Sequence, residues 1–302
     1  MNELEITKRI IGHVVGDRLG PLMILLGGVH GNETAGVAAT ERIMKRLDSS
    51  ALRGEVLGLR GNLAALAAQQ RFVDYDLNRC WTDEHLHLLR SNENVSQAED
   101  KEALAILAYL DRYADADYPT KLLVDLHTTS AERGSFVIVP EKHTHHPTVE
   151  ALQIPIVTRM RSFLPGTLME YAVERGFVSF AFEGGQIGSA AAVDLHEAGI
   201  WTLLRTLEMA ILPNEQMVRY DDLLTYQAQS LPRRVVAKSM HIIAKGAEFR
   251  MNPGYYNFKP VHLAEILAHD KDGPIASPQD GMIFMPLYQK EGSDGFFIVE
   301  EP

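Results

Sequence analysis

One cysteine, Cys80, is all that the 302 residues contain, so no intrachain disulfide can form and a disulfide-stapled fold is excluded. Positive charge is also scarce. Lys and Arg number 29 against 40 Asp and Glu, a net charge of −11 that gives a nucleic-acid partner no support from phosphate neutralisation. The apolar runs fall far short of the roughly 20 residues that a membrane-spanning helix needs. The opening stretch, MNELEITKRIIGHVVGDRLG, has no basic start followed by a long apolar run and a small-residue cleavage site. A cytoplasmic protein with neither nucleic-acid nor membrane partner is expected. No G-x-S-x-G elbow, P-loop or repeat of roughly 20 to 50 residues is evident, which leaves serine hydrolysis, nucleotide phosphate chemistry and solenoid architecture without a motif. What is present is an ordinary globular composition, 46% hydrophobic and 23% charged, on a chain long enough to bury a substantial core.

The first two thirds alternate strand-like and helix-like periods. Leu22 to Leu26 is a continuous apolar run ending in Gly27-Gly28, as in a strand buried on both faces. Ala39, Ile43, Met44 and Leu47 then recur at helical spacing. Glu55 to Leu59 reads as the next strand, and Ala103, Leu107 and Leu110 mark a helix before Pro119. Leu122 to Leu126, Phe136 to Val139 and Phe177 to Phe182 read as further strands, followed by a helix with Ile200, Leu203, Leu204, Leu207 and Ile211 on its buried stripe before Pro213. This alternation predicts an α/β fold, a mostly parallel or mixed sheet flanked by helices. Beyond Pro213, turn signals such as KDGP, PQDG and SDG separate the short runs RRVVA, MIFMPLY and FFIVE. The expected division is an α/β catalytic unit over 1–215 and a smaller β-rich domain over 216–302, with the boundary between Pro213 and Pro232.

The residues that could do chemistry stand at strand ends. His30 and Glu33 lie in GGVHGNE, directly after the LMILL run, among glycines that allow an open turn where α/β sheets place ligands. An imidazole and a carboxylate at this spacing can meet on one metal if the backbone turns between them. Equally, His30 could be a loop histidine and Glu33 a helix N-terminal acid favoured by the dipole. With 12 histidines, an H-x-x-E pair also arises by chance, and His262 with Glu265 is such a second match without the strand-end position. His127, in LLVDLHTTS, would complete a His₂Glu set that leaves a fourth position open, as in catalytic zinc sites. Its alternative is a histidine bonded to Thr128 or Thr129. Asp125, two residues earlier, is a candidate partner for the free imidazole N–H, although period-two alternation could equally bury it elsewhere.

Glu183 ends the run FVSFAFEGG, and a carboxylate in such surroundings gains the basicity of a general base, unless it is salt-bridged at the surface. Arg71 and Arg79 bracket RFVDYDLNR with Asn78 between them. Guanidinium groups can clamp carboxylates and stabilise an oxyanion, although isolated arginines are more often solvated. His143, His145 and His146 read as a solvated loop, and Cys80 as a small buried residue without an activating partner.

GGVHGNE, RFVDYDLNR, VDLHTT and FEGGQ, in this order, resemble the succinylglutamate desuccinylase and aspartoacylase family, which is related to zinc metallocarboxypeptidases. The resemblance covers residues from about 20 to 190 and implies a carboxypeptidase-like fold with a β-rich C-terminal domain. It implies one Zn²⁺ per chain on His30, Glu33 and His127, with Glu183 as general base, Arg71 polarising the scissile carbonyl, and Asn78 and Arg79 holding a substrate carboxylate. The chain departs from aspartoacylases where an arginine and a tyrosine grip the substrate. The nearest counterparts here are Met169 and Phe296, which leaves Arg175, Tyr255, Tyr256 and Tyr288 as candidate substitutes.

The resulting expectation is a zinc-dependent amidohydrolase acting on a small N-acyl amino acid or related amide. The alternatives are a metallocarboxypeptidase for short peptides and, in another class, a non-catalytic ligand-binding protein on the same fold. A homo-oligomer is compatible with each.

Overall fold

The computed structural model describes residues 8–91, 95–133 and 135–302; residues 1–7, part of the stretch read for an export signal, lie outside them. The chain runs through β1 (Ile10–Val15), β2 (Arg18–Gly27), α1 (Ala35–Met44), β3 (Arg53–Arg60), α2 (Leu63–Ala68), α3 (Asp83–Arg90) and α4 (Ala98–Ala114). Next come β4 (Lys121–Thr129), β5 (Phe136–Ile138), α5 (Pro147–Ala151), β6 (Ile156–Thr158), α6 (Leu168–Glu174), β7 (Val178–Gln186), α7 (Ala190–Thr206) and α8 (Asn214–Ala228). The remainder is β-rich: β8 (Arg234–Ile242), β9 (Arg250–Met251), β10 (Lys259–Val261), β11 (Ile266–Asp270), β12 (Gly273–Ala276), β13 (Gly281–Phe284) and β14 (Asp294–Glu300).

Eleven strands form one mixed sheet in the order β1-β3-β2-β4-β7-β5-β6-β8-β14-β13-β10. Its centre, β3-β2-β4-β7, is parallel, whereas β1 and β5 enter antiparallel to β3 and β7. The apolar run of β2 is buried on both faces because alternate side chains serve two cores. Met23 and Leu25 pack in one with residues of α1, α7 and α8, while Leu22 and Ile24 pack in the other with residues of α3, α4 and α6. Helices therefore cover both faces, the α/β architecture expected from the alternation of periods.

Two local readings change. Ile211, expected on a buried helical stripe, is exposed because α7 stops at Thr206. The expected boundary segment after Pro213 contains α8, whose buried Met217 and Leu224 lie two helical turns apart and join the core that α7 also lines. After it, β8 pairs in parallel with β6, so β8, β14, β13 and β10 prolong the main sheet, and β12-β11-β9 form a second, smaller antiparallel sheet. Among the described residues no helix is long and apolar enough to cross a membrane.

Candidate active site

Three parallel strands deliver the candidate residues to one edge of the sheet, the edge where strands of open α/β sheets end and ligands bind. β2 ends at Gly27, and the following turn carries His30 and Glu33 toward α1. Gly31 lets this turn pass α2 at close range, since a Cβ there would sit 2.0 Å from the Ala65 carbonyl carbon. On β4 and β7, His127 and Glu183 are register partners and emerge side by side.

All four of these side chains are buried. His30 Nδ1 lies 2.8 Å from Glu33 Oε1, His127 Nδ1 lies 3.3 Å from Glu33 Oε2, and one donor atom from each of the three residues falls within 4.8 Å of the others. The outer nitrogens face carboxylates: His127 Nε2 is 2.9 Å from Asp125 Oδ2, and His30 Nε2 is 3.1 Å from Asp76 Oδ1. Two imidazoles whose inner nitrogens converge on one carboxylate while their outer nitrogens lie within hydrogen-bond reach of two others make a donor set suited to Zn²⁺. The Thr128 N–H donates to Glu33 Oε2 at 2.6 Å and fixes that carboxylate. Burial pushes the Asp76 carboxyl up, but the charges of His30 and Arg71 outweigh it and hold it well below the usual range.

Glu183 differs from the other acids in its surroundings. Its Oε2 is buried and has no hydrogen-bond partner among the described residues. Burial pushes its carboxyl up to about 7, with His127 opposing the rise and the Glu33 charge adding to it. A group of this basicity exchanges a proton in either direction near neutral pH. Arg71 donates to Asp76 Oδ2 at 3.0 Å and approaches Glu33 Oε1 at 3.5 Å. His30, Glu33, Arg71, His127 and Glu183 line one cavity of about 60 Å³, closed by Met285, Leu287, Gln289, Gly292 and Asp294 from the C-terminal strands and their connection. Asn78 and Arg79 flank it. Asn78 donates its amide to Asp125 Oδ2 at 3.4 Å and accepts the Leu168 N–H at 2.8 Å, while Arg79 is paired with Asp294 Oδ2 at 2.6 Å.

A family profile for the succinylglutamate desuccinylase/aspartoacylase catalytic domain matches residues 19–207, well over half of the chain. The chain belongs to this family. It is 28% identical over 264 residues to a succinylglutamate desuccinylase of Pseudomonas paraeruginosa, covering 83% of this chain and 74% of that protein. It is also 34% identical over 118 residues to a protein of Parasynechococcus marenigrum named probable aspartoacylase, a match that spans 39% of this chain and only 37% of the relative. In fold it is similar to the crystal structure of a succinylglutamatedesuccinylase/aspartoacylase from Rhodobacter sphaeroides, with a TM-score of 0.68 at 19% identity over 96% of this chain and 87% of the other. Family membership implies amide deacylation.

The departures from aspartoacylases can now be located. Met169 is buried in the core shared by β5, β6 and β8, and Phe296 stacks on His241 at 5.3 Å; neither lines the cavity. The candidate substitutes are engaged elsewhere. Arg175 lies over the Tyr171 ring, the Tyr255 hydroxyl donates to Glu265, Tyr256 is covered by Arg133, and the Tyr288 hydroxyl donates to the Asn252 carbonyl. His262 and Glu265 lie outside the cavity, where the His262 N–H closes a turn on the Glu265 carboxylate. His143, read as part of a solvated loop, is instead buried in a short turn, and His146 is half-buried and caps α5, whereas His145 is exposed. Cys80 is buried and its thiol is pushed up to about 12 by burial, away from nucleophilic use. Sequence reasoning assigned no role to Asp76 or Asp294. Asp76 stands inside a motif already singled out, whereas Asp294 had no local signal because its partner Arg79 is distant in sequence.

Proposed function

We propose that this family member is a zinc-dependent amidohydrolase that removes the acyl group from a small N-acyl amino acid or related amide. The observation that carries this reading is the convergence of His30, Glu33 and His127 beside a buried, unpaired Glu183 oxygen in one small cavity. Zinc held by the three residues would supply Lewis acidity toward a carbonyl and make water a better acid. Glu183 takes the proton of the attacking water and delivers it to the leaving nitrogen, roles that suit a carboxyl whose basicity burial raises. Arg71 polarises the scissile carbonyl and stabilises the tetrahedral oxyanion. Asn78 and Arg79 hold a substrate carboxylate: Asn78, which also braces Asp125, stands beside Arg79, and Arg79 receives the carboxylate by exchanging its partly exposed partner Asp294, an exchange that costs little for an ion pair in contact with water.

The proposed units are the α/β catalytic part, 1–215, and the β-rich part, 216–302, which contributes the segment from Met285 to Asp294 that closes the cavity. This closure supports a small acyl group over a peptide chain. The test is a panel of N-acyl amino acids and matched short peptides on zinc-loaded protein. Turnover of the former with little on the latter is expected; the reverse would favour a carboxypeptidase, and no turnover of any amide with zinc bound would favour a binding protein.

A further inference from the structure

Arg71 reaches the cavity, and Asp76 the outer nitrogen of His30, from a connection that belongs to no regular element, so something must fix its course. That something lies on α4. Glu99, in the first turn of that helix, is completely buried and accepts four hydrogen bonds. Three come from consecutive backbone groups, Val73 N–H at 2.7 Å, Asp74 N–H at 2.9 Å and Tyr75 N–H at 3.3 Å. The fourth comes from the Asn62 side-chain amide at 2.9 Å. Successive N–H groups curled around an anion form a concave receptor of the kind that binds phosphates, here filled by the protein's own carboxylate.

The bonded stretch lies between Arg71 and Asp76. Asn62 is tied in turn to the turn that carries the metal-ligand candidates, since its N–H donates to the Gly28 carbonyl. The two connections also touch directly where Gly31 N–H donates to the Arg71 carbonyl at 3.2 Å. A buried carboxylate is expensive unless every lone pair is used, and Glu99 uses its own on the backbone that sets the course of Arg71 and Asp76.

We infer that Glu99 is a positioning residue for the reaction: its carboxylate fixes the turn that places Arg71 against the scissile bond and Asp76 against His30. The inference rests on the deacylase reading of the same site. Glu99→Gln tests it, because the amide keeps the shape but turns an NH₂ group toward N–H donors and leaves at least one of them without an acceptor. Turnover is expected to fall about 10 to 100-fold, the scale of an ångström misplacement, with KM within about threefold and the zinc content at saturating metal unchanged. Glu99→Asp, which keeps the charge, should retain more kcat than Glu99→Gln, and it also carries the test if Glu99→Gln does not fold.

In the Arg71→Ala background, Glu99→Gln should cost clearly less than in the wild type, since much of its effect passes through Arg71 and only the remainder through Asp76 and His30. An equal cost in both backgrounds, or wild-type kcat with only a lowered melting temperature, would overturn the inference. Hydrogen exchange supplies a readout independent of turnover. The amides of Val73, Asp74 and Tyr75 should be protected in the wild type and lose protection selectively in Glu99→Gln. Unchanged protection would refute the placement, whereas loss of protection in a protein that cleaves no amide would leave Glu99 as the brace and count against the deacylase reading instead.

Discussion

Asp125 and Asp76 each hold the outer nitrogen of a histidine whose inner nitrogen faces Glu33. An imidazole oriented in this way by a carboxylate is a stronger and better aimed metal ligand, so Asp125→Asn and Asp76→Asn should each weaken zinc binding about 10 to 100-fold in a competition titration. Wild-type affinity in both variants would show that the carboxylates serve only packing. On the proposed mechanism the arginines would separate kinetically: Arg71→Ala should lower kcat by roughly 10² to 10³-fold, because its contact would strengthen as the oxyanion forms, while Arg79→Ala should mainly raise KM. The candidate ligands and Glu183 were legible in the sequence because each follows an apolar strand, and in a parallel sheet strand ends share an edge. Asp125 was legible only as one of two options from its one-residue spacing to His127, and the structure places it on that imidazole rather than elsewhere. Asp76 was not, because only the turn braced by Glu99 brings it against His30.

At the scale of elements, the site depends on how closely α7 approaches β7. Gly184 follows the candidate base, and a Cβ there would come within 2.3 Å of the His196 ring, which is completely buried on α7. The ring is held in place by its Nδ1, 2.7 Å from the Ala192 carbonyl. Gly184→Ala is therefore expected to cost about 1 to 3 kcal/mol in urea denaturation, a loss from overpacking, and a cost within about 0.5 kcal/mol would mean that His196 can move aside. The strands of the parallel centre were legible because their residues are mostly apolar on both faces, most plainly in the uninterrupted LMILL of β2. The helix after Pro213 was harder to see: its buried stripe includes only Met217 and Leu224 among many polar residues. The extension of the main sheet by β8, β14, β13 and β10 has no local sequence signal, since short amphipathic strands look alike in a separate domain and at a sheet edge.

Across the whole molecule, an acidic chain gathers Glu33, Asp76 and Asp125 around two histidines at one point of the sheet edge, which suits a divalent cation. A ligand that binds only the folded form stabilises it by mass action, about 2.7 kcal/mol at a hundredfold excess over Kd. Zinc should accordingly raise the melting temperature of the wild type in a concentration-dependent way and leave that of His127→Ala unchanged. Equal shifts in both would place the metal elsewhere. The most direct test is a paired measurement of metal content and amide hydrolysis on wild type and Glu183→Gln purified identically. About one zinc per chain is expected in both, with turnover in the variant reduced by roughly 10² to 10⁴-fold. Hydrolysis that survives Glu183→Gln, or that persists after the zinc is stripped, would contradict the site described here.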